Sequence, residues 1–331
     1  MSAKGRPERE FAPQRDSAEG GPVRDPAADP LRWTIGLVGY GEVGRILAED
    51  LRARGVDNIV ACDVKVGTPA AAPLAGHATA HGVTLTATHA ELARAADVIV
   101  SAVTASQAVP VARALAPALC PGAWVLDVNS ASPGAKQEAA AIVAAGGGRY
   151  VEGAVMTSVP PYRIRVPLIL GGPHAEAFAP LLSLLGFAPT VGAAELGIAS
   201  ATKMCRSVMI KGLEAMVIES FTAARALGVE QAVLASLAET FPGIDWERQG
   251  TYFFQRAVQH GRRRAEEMRE VAATVREAGL EPWSAIGTAE RQGWVADLGD
   301  AGAFGDRRAV AADWRVYADA ILARRAAAGQ H

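Results

Sequence analysis

The chain has 331 residues, half of them hydrophobic and 21% charged, with a formal net charge of −2. That length suits two domains, each large enough to bury its own core. The near-neutral balance argues against nucleic acid or an anionic membrane surface as partner. Apolar runs such as Ala139 to Ala145 are too short to span a bilayer, so no transmembrane segment is expected.

Residues 1–30 mix both charges with Pro and Gly and lack the apolar core of a signal peptide, so a disordered leader is expected there. The three cysteines, Cys62, Cys120 and Cys205, are odd in number and show no CxxC spacing. They suggest neither a disulfide framework nor a zinc site, and read as buried small hydrophobes in a reducing, cytoplasmic setting. No metal site is expected.

From Leu31 onward, strands and helices alternate. Trp33 to Gly39 is an apolar strand, Glu42 to Arg54 carries Val43, Ile46, Leu47 and Leu51 at helical spacing, and Asn58 to Val64 is a second strand. The alternation continues through a strand at Val83, a helix from His89, a strand from Asp97, a helix from Val111 to Leu119 and a strand from Trp124. A helix from Ser132 to Ala145, strands at Tyr150 and Val166, a helix from His174 to Leu185 and a short strand near Thr190 complete the pattern. A doubly wound Rossmann sheet of α/β class is therefore expected over residues 31–192. Beyond it an all-helical domain is expected over residues 193–331. Its helices are read as Ala193 to Leu227, Glu230 to Thr240, Trp246 to His260, Arg263 to Ala278, and Arg308 to Ala326. The basic residues at His260 and Arg264 fall in a turn between two of these, and Glu266, Glu267 and Arg269 read as a solvated helical face.

The loop between the first strand and first helix, Gly39, Tyr40, Gly41, Glu42, Val43 and Gly44, is a GxGxxG. Its glycines allow a tight turn, a close approach of backbone to a pyrophosphate, and close packing of helix on strand. The helix start offers free N–H groups and a partial positive charge to the phosphates. Asp63, at the end of the second strand, is placed to accept hydrogen bonds from the adenosine ribose and to repel a 2′-phosphate, which favours NAD. Lys65, two residues on, could serve a phosphate, so NADP stays open. Val103 and Thr104, at the end of the fourth strand, fall where the backbone should run beneath the nicotinamide-side ribose.

Two later stretches carry candidate chemistry. Asp127 to Gln137, DVNSASPGAKQ, sets Asn129 and Ser130 at the carboxyl end of a strand, where ligands of open α/β sheets sit. On the long helix, Ser200, Lys203, Ser207, Lys211 and Glu214 are three or four residues apart and share one face. A polar stripe on an otherwise apolar helix lines something. A lysine desolvated there would lose proton affinity and could act as general acid or base.

Taken in order, these motifs resemble the β-hydroxyacid dehydrogenase superfamily, which includes 3-hydroxyisobutyrate dehydrogenases, tartronate semialdehyde reductases and 6-phosphogluconate dehydrogenase. The resemblance covers nearly all of the chain after the leader and points to a less-characterised branch, marked by KMCRS and by HGRRRAEEM from His260. It implies NAD(P)-dependent hydride transfer to or from a small hydroxy acid or sugar acid, with Lys203 as general acid/base. It also implies that Asn129 and Ser130, together with Gly153 and Ala154 of VEGAVMTS, hold the substrate, with Arg206, Ser207 and His260 contributing. Ser207 stands where the family usually has Asn, Arg206 where 6-phosphogluconate dehydrogenase has a histidine, and Ile210 where that enzyme has its catalytic glutamate. A phosphosugar substrate is therefore not expected. The resemblance further implies a homodimer with interlocked C-terminal helices. Rival readings are an NADPH-dependent imine reductase, whose members generally lack this lysine, and a catalytically inactive NAD-binding sensor.

Overall fold

A computed structural model describes residues 29–311 and 313–328. The expected leader lies outside the described residues up to position 28, while Asp29 and Pro30 already belong to a short 3-10 turn, Pro30–Arg32, and its cap. The N-terminal unit runs β1 (Thr34–Val38), α1 (Glu42–Ala53), β2 (Asn58–Cys62), α2 (Ala72–Ala80), β3 (Thr84–Leu85), α3 (His89–Ala95), β4 (Val98–Ser101) and α4 (Ala108–Leu115). It continues with β5 (Trp124–Asp127), α5 (Pro133–Ala145), β6 (Arg149–Val155), β7 (Pro167–Gly171), α6 (Ala175–Leu184) and β8 (Ala188–Ala193). The strands form one sheet in the order β3-β2-β1-β4-β5-β6-β7-β8. All neighbours are parallel except β6 and β7. The order reverses between β1 and β4, whose ends meet at Val38 and Ser101, and a crevice at such a switch point is where this architecture takes its ligands.

Both faces of the sheet are covered. Leu47 and Leu51 of α1, Leu74 of α2 and Phe178 of α6 pack on one side. Leu92 of α3, Val111 and Leu115 of α4 and Val143 of α5 pack on the other. Buried on two faces, the strands read as continuous apolar runs. α2 breaks the expected pattern: the alternation read from the sequence has no helix between β2 and β3, because APLAGHATA is small-sided and carries no apolar stripe.

The remainder is helical: α7 (Ile198–Leu227), α8 (Glu230–Thr240), α9 (Trp246–Glu277), α10 (Trp283–Asp300) and α11 (Trp314–Ala328). α7 packs on α9, α10, α11 and the edge of β6. Two cores hold it, an aromatic one around Phe221, Trp246, Phe254, Trp314 and Tyr317, and a smaller one where Met204 meets Met268, Val271 and Ala289.

Several boundaries depart from expectation. α7 starts at Ile198, after a turn through Gly197 (φ 99°) that separates it from β8. The final helix begins at Trp314 and not at Arg308, and α10 is a helix beyond those expected from the sequence. The largest difference is α9, one helix of 32 residues in place of two joined by a basic turn. Gly261, just past the expected helix end at His260, is helical and buried: a Cβ there would lie 2.6 Å from the Gln292 carbonyl oxygen, so its bareness lets α10 approach α9. His260 and Arg264 are therefore helical residues.

Candidate active site

The glycine loop is built by two internal constraints and one free position. Gly39 has φ 88°, and a Cβ on it would meet the Ala102 carbonyl oxygen at 2.4 Å; one on Gly44 would meet the Gly39 oxygen at 2.1 Å. Both glycines serve the fold of the loop itself. Gly41 is different, because a Cβ there would meet nothing within 4 Å. α1 begins at this residue with no side-chain cap, so the N–H groups of its first turn are open to an anion. The exposed Glu42 and half-buried Val43 follow it. This cradle fits a dinucleotide pyrophosphate, since the chain itself has no use for the space above Gly41.

Asp63 stands at the end of β2 as expected, and its carboxylate is already at work. One oxygen accepts from the Tyr40 N–H at 2.9 Å and the other from the Lys65 N–H at 2.9 Å. It thus fixes the glycine loop and the turn after β2, and a carboxylate keeps further lone pairs for a ribose hydroxyl. The Tyr40 ring is fully buried and faces away into the fold.

Across the switch point, the Val103 N–H donates to Asn129 Oδ1 at 2.6 Å, and Asn129 Nδ2 donates to Ser101 Oγ at 2.9 Å. Asn129 is buried and spends its amide on joining the ends of β4 and β5. Thr104 next to it is exposed. Below, Asp127 accepts from the Asn129 N–H, from Tyr150 Oη at 2.9 Å and from Lys136 Nζ at 2.9 Å. Burial and the neighbouring Asp127 hold the Tyr150 phenol well above its ordinary pKa, so it stays a donor. Lys136 is 1% exposed and went unread in the sequence, although an aspartate ending a buried strand calls for a cation.

Ser130 and Lys203 come together. Lys203 Nζ donates to Ser130 Oγ at 2.7 Å. Burial lowers the lysine pKa to about 7, with Lys211, Lys136 and Arg263 pushing the same way and Glu267 opposing. Further along the same face of α7, Lys211 Nζ donates to Ser207 Oγ at 3.2 Å and pairs with Glu267 at 3.0 Å. Glu214 is buried against Arg264 and Gln292. The polar stripe of α7 is therefore internal, facing α9 and the end of β5.

Glu267 corrects the reading of a solvated face on α9. It is 9% exposed, and although burial alone would raise its pKa, Lys211, Arg263 and Lys203 outweigh that and hold it at about 2. His260 is half-buried on the same helix; burial and the surrounding Arg256, Arg263 and Arg264 pull it down to about 4, so it is neutral near pH 7. Arg256 carries no ion pair or hydrogen bond among the described residues, and burial and the other arginines lower its proton affinity. Two carboxylates thus face five cationic side chains, Lys203, Lys211, Arg256, Arg263 and Arg264.

Three other carboxylates position the site. Glu152, fully buried on β6, accepts from the N–H groups of Gly197 at 2.7 Å and of Ser200, holding the start of α7. From α9, Glu270 accepts from the Ser132 N–H at 2.9 Å, and Glu277 accepts from Ser132 Oγ at 2.8 Å and the Gly134 N–H at 3.0 Å. Lys203 and Ser130 are thereby each held from the opposite half of the chain. The structure does not bring the remaining predicted residues to this pair. Gly153 and Ala154 are buried in β6, with Gly153 packed among Val128, Leu126 and Leu168. Arg206 is exposed on α7, off the face that bears Lys203 and Ser207.

Comparison with known proteins identifies the family. Residues 34–131 match the family described as NADP oxidoreductase, coenzyme F420-dependent, and residues 224–295 match a domain of unknown function, DUF1932. A conserved hypothetical protein from Sinorhizobium meliloti 1021 is 37% identical, with 88% of this chain and 96% of that one covered and a TM-score of 0.69. A conserved protein of unknown function, described for its structural similarity with 3-hydroxyacid dehydrogenases, is 31% identical over 80% of this chain and 99% of its own, with a TM-score of 0.61. A 3-hydroxyisobutyrate dehydrogenase of Mycobacterium tuberculosis shares the fold at 17% identity, covering 83% and 94% of the two chains with a TM-score of 0.60. An NAD(P) oxidoreductase fold with this helical half, and relatives matched along nearly their whole length, make the chain a member of the β-hydroxyacid dehydrogenase-like superfamily.

Proposed function

We propose that the chain is an NAD(P)-dependent dehydrogenase or reductase acting on a small hydroxy acid or sugar acid, with Lys203 as general acid/base. The observation that carries this is the Lys203 Nζ to Ser130 Oγ contact of 2.7 Å, made by a lysine whose pKa is lowered to about 7. A group titrating near the working pH can both take and return a proton. When bound, the nicotinamide supplies the hydride acceptor or donor. In oxidation, neutral Lys203 takes the proton of the substrate hydroxyl; in reduction, its ammonium form returns it to the carbonyl oxygen. Ser130 fixes the amine and offers its hydroxyl to the substrate.

The excess of cations supports an anionic substrate. Lys211 and Arg263 attract a carboxylate and, by the same field, ease the proton from Lys203. The proposed place for the acid group is between Ser130, Ser207 and the α9 cations, in preference to Gly153 and Ala154. Turnover monitored by NAD reduction across C3 to C6 hydroxy and sugar acids, with cyclic imines run in parallel, tests the reading. Turnover of imines alone would replace it with imine reduction, and tight dinucleotide binding with no turnover on any compound would replace it with a sensor.

For the cofactor, Asp63 supports NAD, since a carboxylate repels a 2′-phosphate, while the NADP oxidoreductase match keeps the phosphorylated form in contention. Comparing kcat/KM for NAD and NADP decides between them. Because nothing in the chain occupies the space at Gly41, Gly41→Ala is expected to leave the melting temperature unchanged and to weaken dinucleotide binding by at least about tenfold, roughly 1.4 kcal/mol. Calorimetric titration and a thermal melt check it; undiminished binding would remove the pyrophosphate from this loop.

A homodimer is proposed on the exposed side of α7, where Met209 and Met216 are 70% and 61% exposed and Ile210 lies between them. Apolar side chains gathered on one exposed face mark an interaction surface. No helix among the described residues is long and apolar enough to cross a membrane. Light scattering at the single-chain mass would dismiss the dimer.

A further inference from the structure

A second cluster of chemically active side chains lies away from Lys203, on the other face of the sheet. His77 and His81 are four residues apart at the end of α2, so both project from one side of it, and their rings stack at 4.3 Å. Glu49 of α1 faces them, with Oε1 at 3.0 Å from His77 Nε2. The ligand atoms of Glu49, His77 and His81 all lie within 4.8 Å of one another. We propose that these three residues form a binding site for one divalent transition-metal ion with the preferences of zinc.

Four observations support the assignment. First, two imidazoles and one carboxylate are the donor set of zinc sites that keep an open fourth position. With bonds of about 2.0–2.1 Å, tetrahedral ligands sit about 3.3 Å apart, which side-chain rotation alone can reach from here. Second, the outer partners are in place. Tyr40 Oη lies 2.9 Å from His77 Nδ1; with the imidazole proton on Nδ1 and donated to that oxygen, Nε2 turns its lone pair to the ion. Arg163 engages Glu49 through Oε2 at 2.6 Å, leaving Oε1 for the metal. Third, the Tyr40 side chain is fully buried, so its hydroxyl is held in place against His77. Fourth, Arg52 clamps the turn that carries His81 onto α1. Its guanidinium donates to the His81 carbonyl at 2.8 Å, to those of Val56 and Asp57 at 2.9 and 2.6 Å, and to that of Gly82. The His81 ring, by contrast, has no hydrogen-bond partner among the described residues, so one donor stands ready.

The ion would join α1, α2 and, through Tyr40, the glycine loop. The site is independent of the proposed reaction, and its test is read in bound metal, not in turnover. The full chain, prepared without a histidine tag and stripped with chelator, is titrated with Co2+ as a spectroscopic probe. Saturation at one equivalent with visible absorption of low-coordinate Co2+, displaced by Zn2+, is the expected result. His81→Gln and Glu49→Gln are each expected to weaken binding by more than tenfold while keeping the wild-type circular dichroism. Tyr40→Phe, which removes only an outer partner, should weaken it by about tenfold, and His89→Ala should leave it intact. Absence of a saturable one-equivalent phase, or equal affinity in both the His81→Gln and Glu49→Gln proteins, overturns the site.

Discussion

Replacing Lys203 with alanine is expected to lower turnover by about 10²- to 10⁴-fold, the usual contribution of a positioned general acid/base, while dinucleotide binding stays unchanged. The separation of the two effects is what identifies the role, since Lys203 bonds to Ser130 and not to the glycine loop. The pH dependence has a definite sign. With the Lys203 pKa at about 7, hydroxy acid oxidation requires the neutral amine and rises as pH increases through 7, whereas carbonyl reduction requires the ammonium and falls over the same interval. Lys203→Arg should not rescue activity, because a guanidinium does not release its proton in this range. Full activity in the alanine variant would end the proposal.

The second large effect is expected at Glu267. Glu267→Gln leaves Lys211 buried without its counter-charge, and breaking a buried pair in this way costs about 3–5 kcal/mol, readable as a lower urea midpoint. It also withdraws the largest influence raising the Lys203 pKa, so the midpoint of the oxidation profile should move to lower pH. The acid branch of stability follows the same residue. The Glu267 carboxyl titrates at about 2 in the folded chain, below its value of about 4.3 when unfolded. Its stabilisation is therefore complete above about pH 4.3 and is lost as pH falls toward 2. A variant with unchanged urea midpoint and unchanged pH profile would show that Glu267 has no hold on Lys203.

What could be read in the sequence was what local spacing encodes. The turn from β1 into α1 announces itself through three glycines and flanking apolar runs, and the serine that follows β5 and the lysine of α7 are separately visible, each in a motif. Their partners are not. Glu267 sits between Glu266 and Met268 on a helix thick with arginines, and from the sequence it is indistinguishable from a solvated glutamate; only the packing of α9 on α7 buries it. Glu270 and Glu277 are hidden for the same reason, each meeting the Ser132 segment across a long stretch of chain. The stretch around Gly261 hides its role in the opposite direction, since HGRRR reads locally as a basic turn while the bare glycine serves a close helix crossing. The histidine spacing at α2 carries a signal that cysteine counting does not register.

The length of α9 has a mechanical consequence. At about 1.5 Å per residue, its 32 residues form a strut nearly 50 Å long, anchored in the aromatic core at Trp246 and riveted to the Ser132 segment by Glu270 and Glu277 at its far end. A strut fixed at both ends resists bending, and Glu152 pins α7 to the sheet independently. The halves of the molecule cannot swing apart without shearing several charged fastenings together. These fastenings set how the Ser130 segment stands against α9, and on the proposed function a change of preferred acid is expected from trimming Arg256, His260 or Arg263 along the strut.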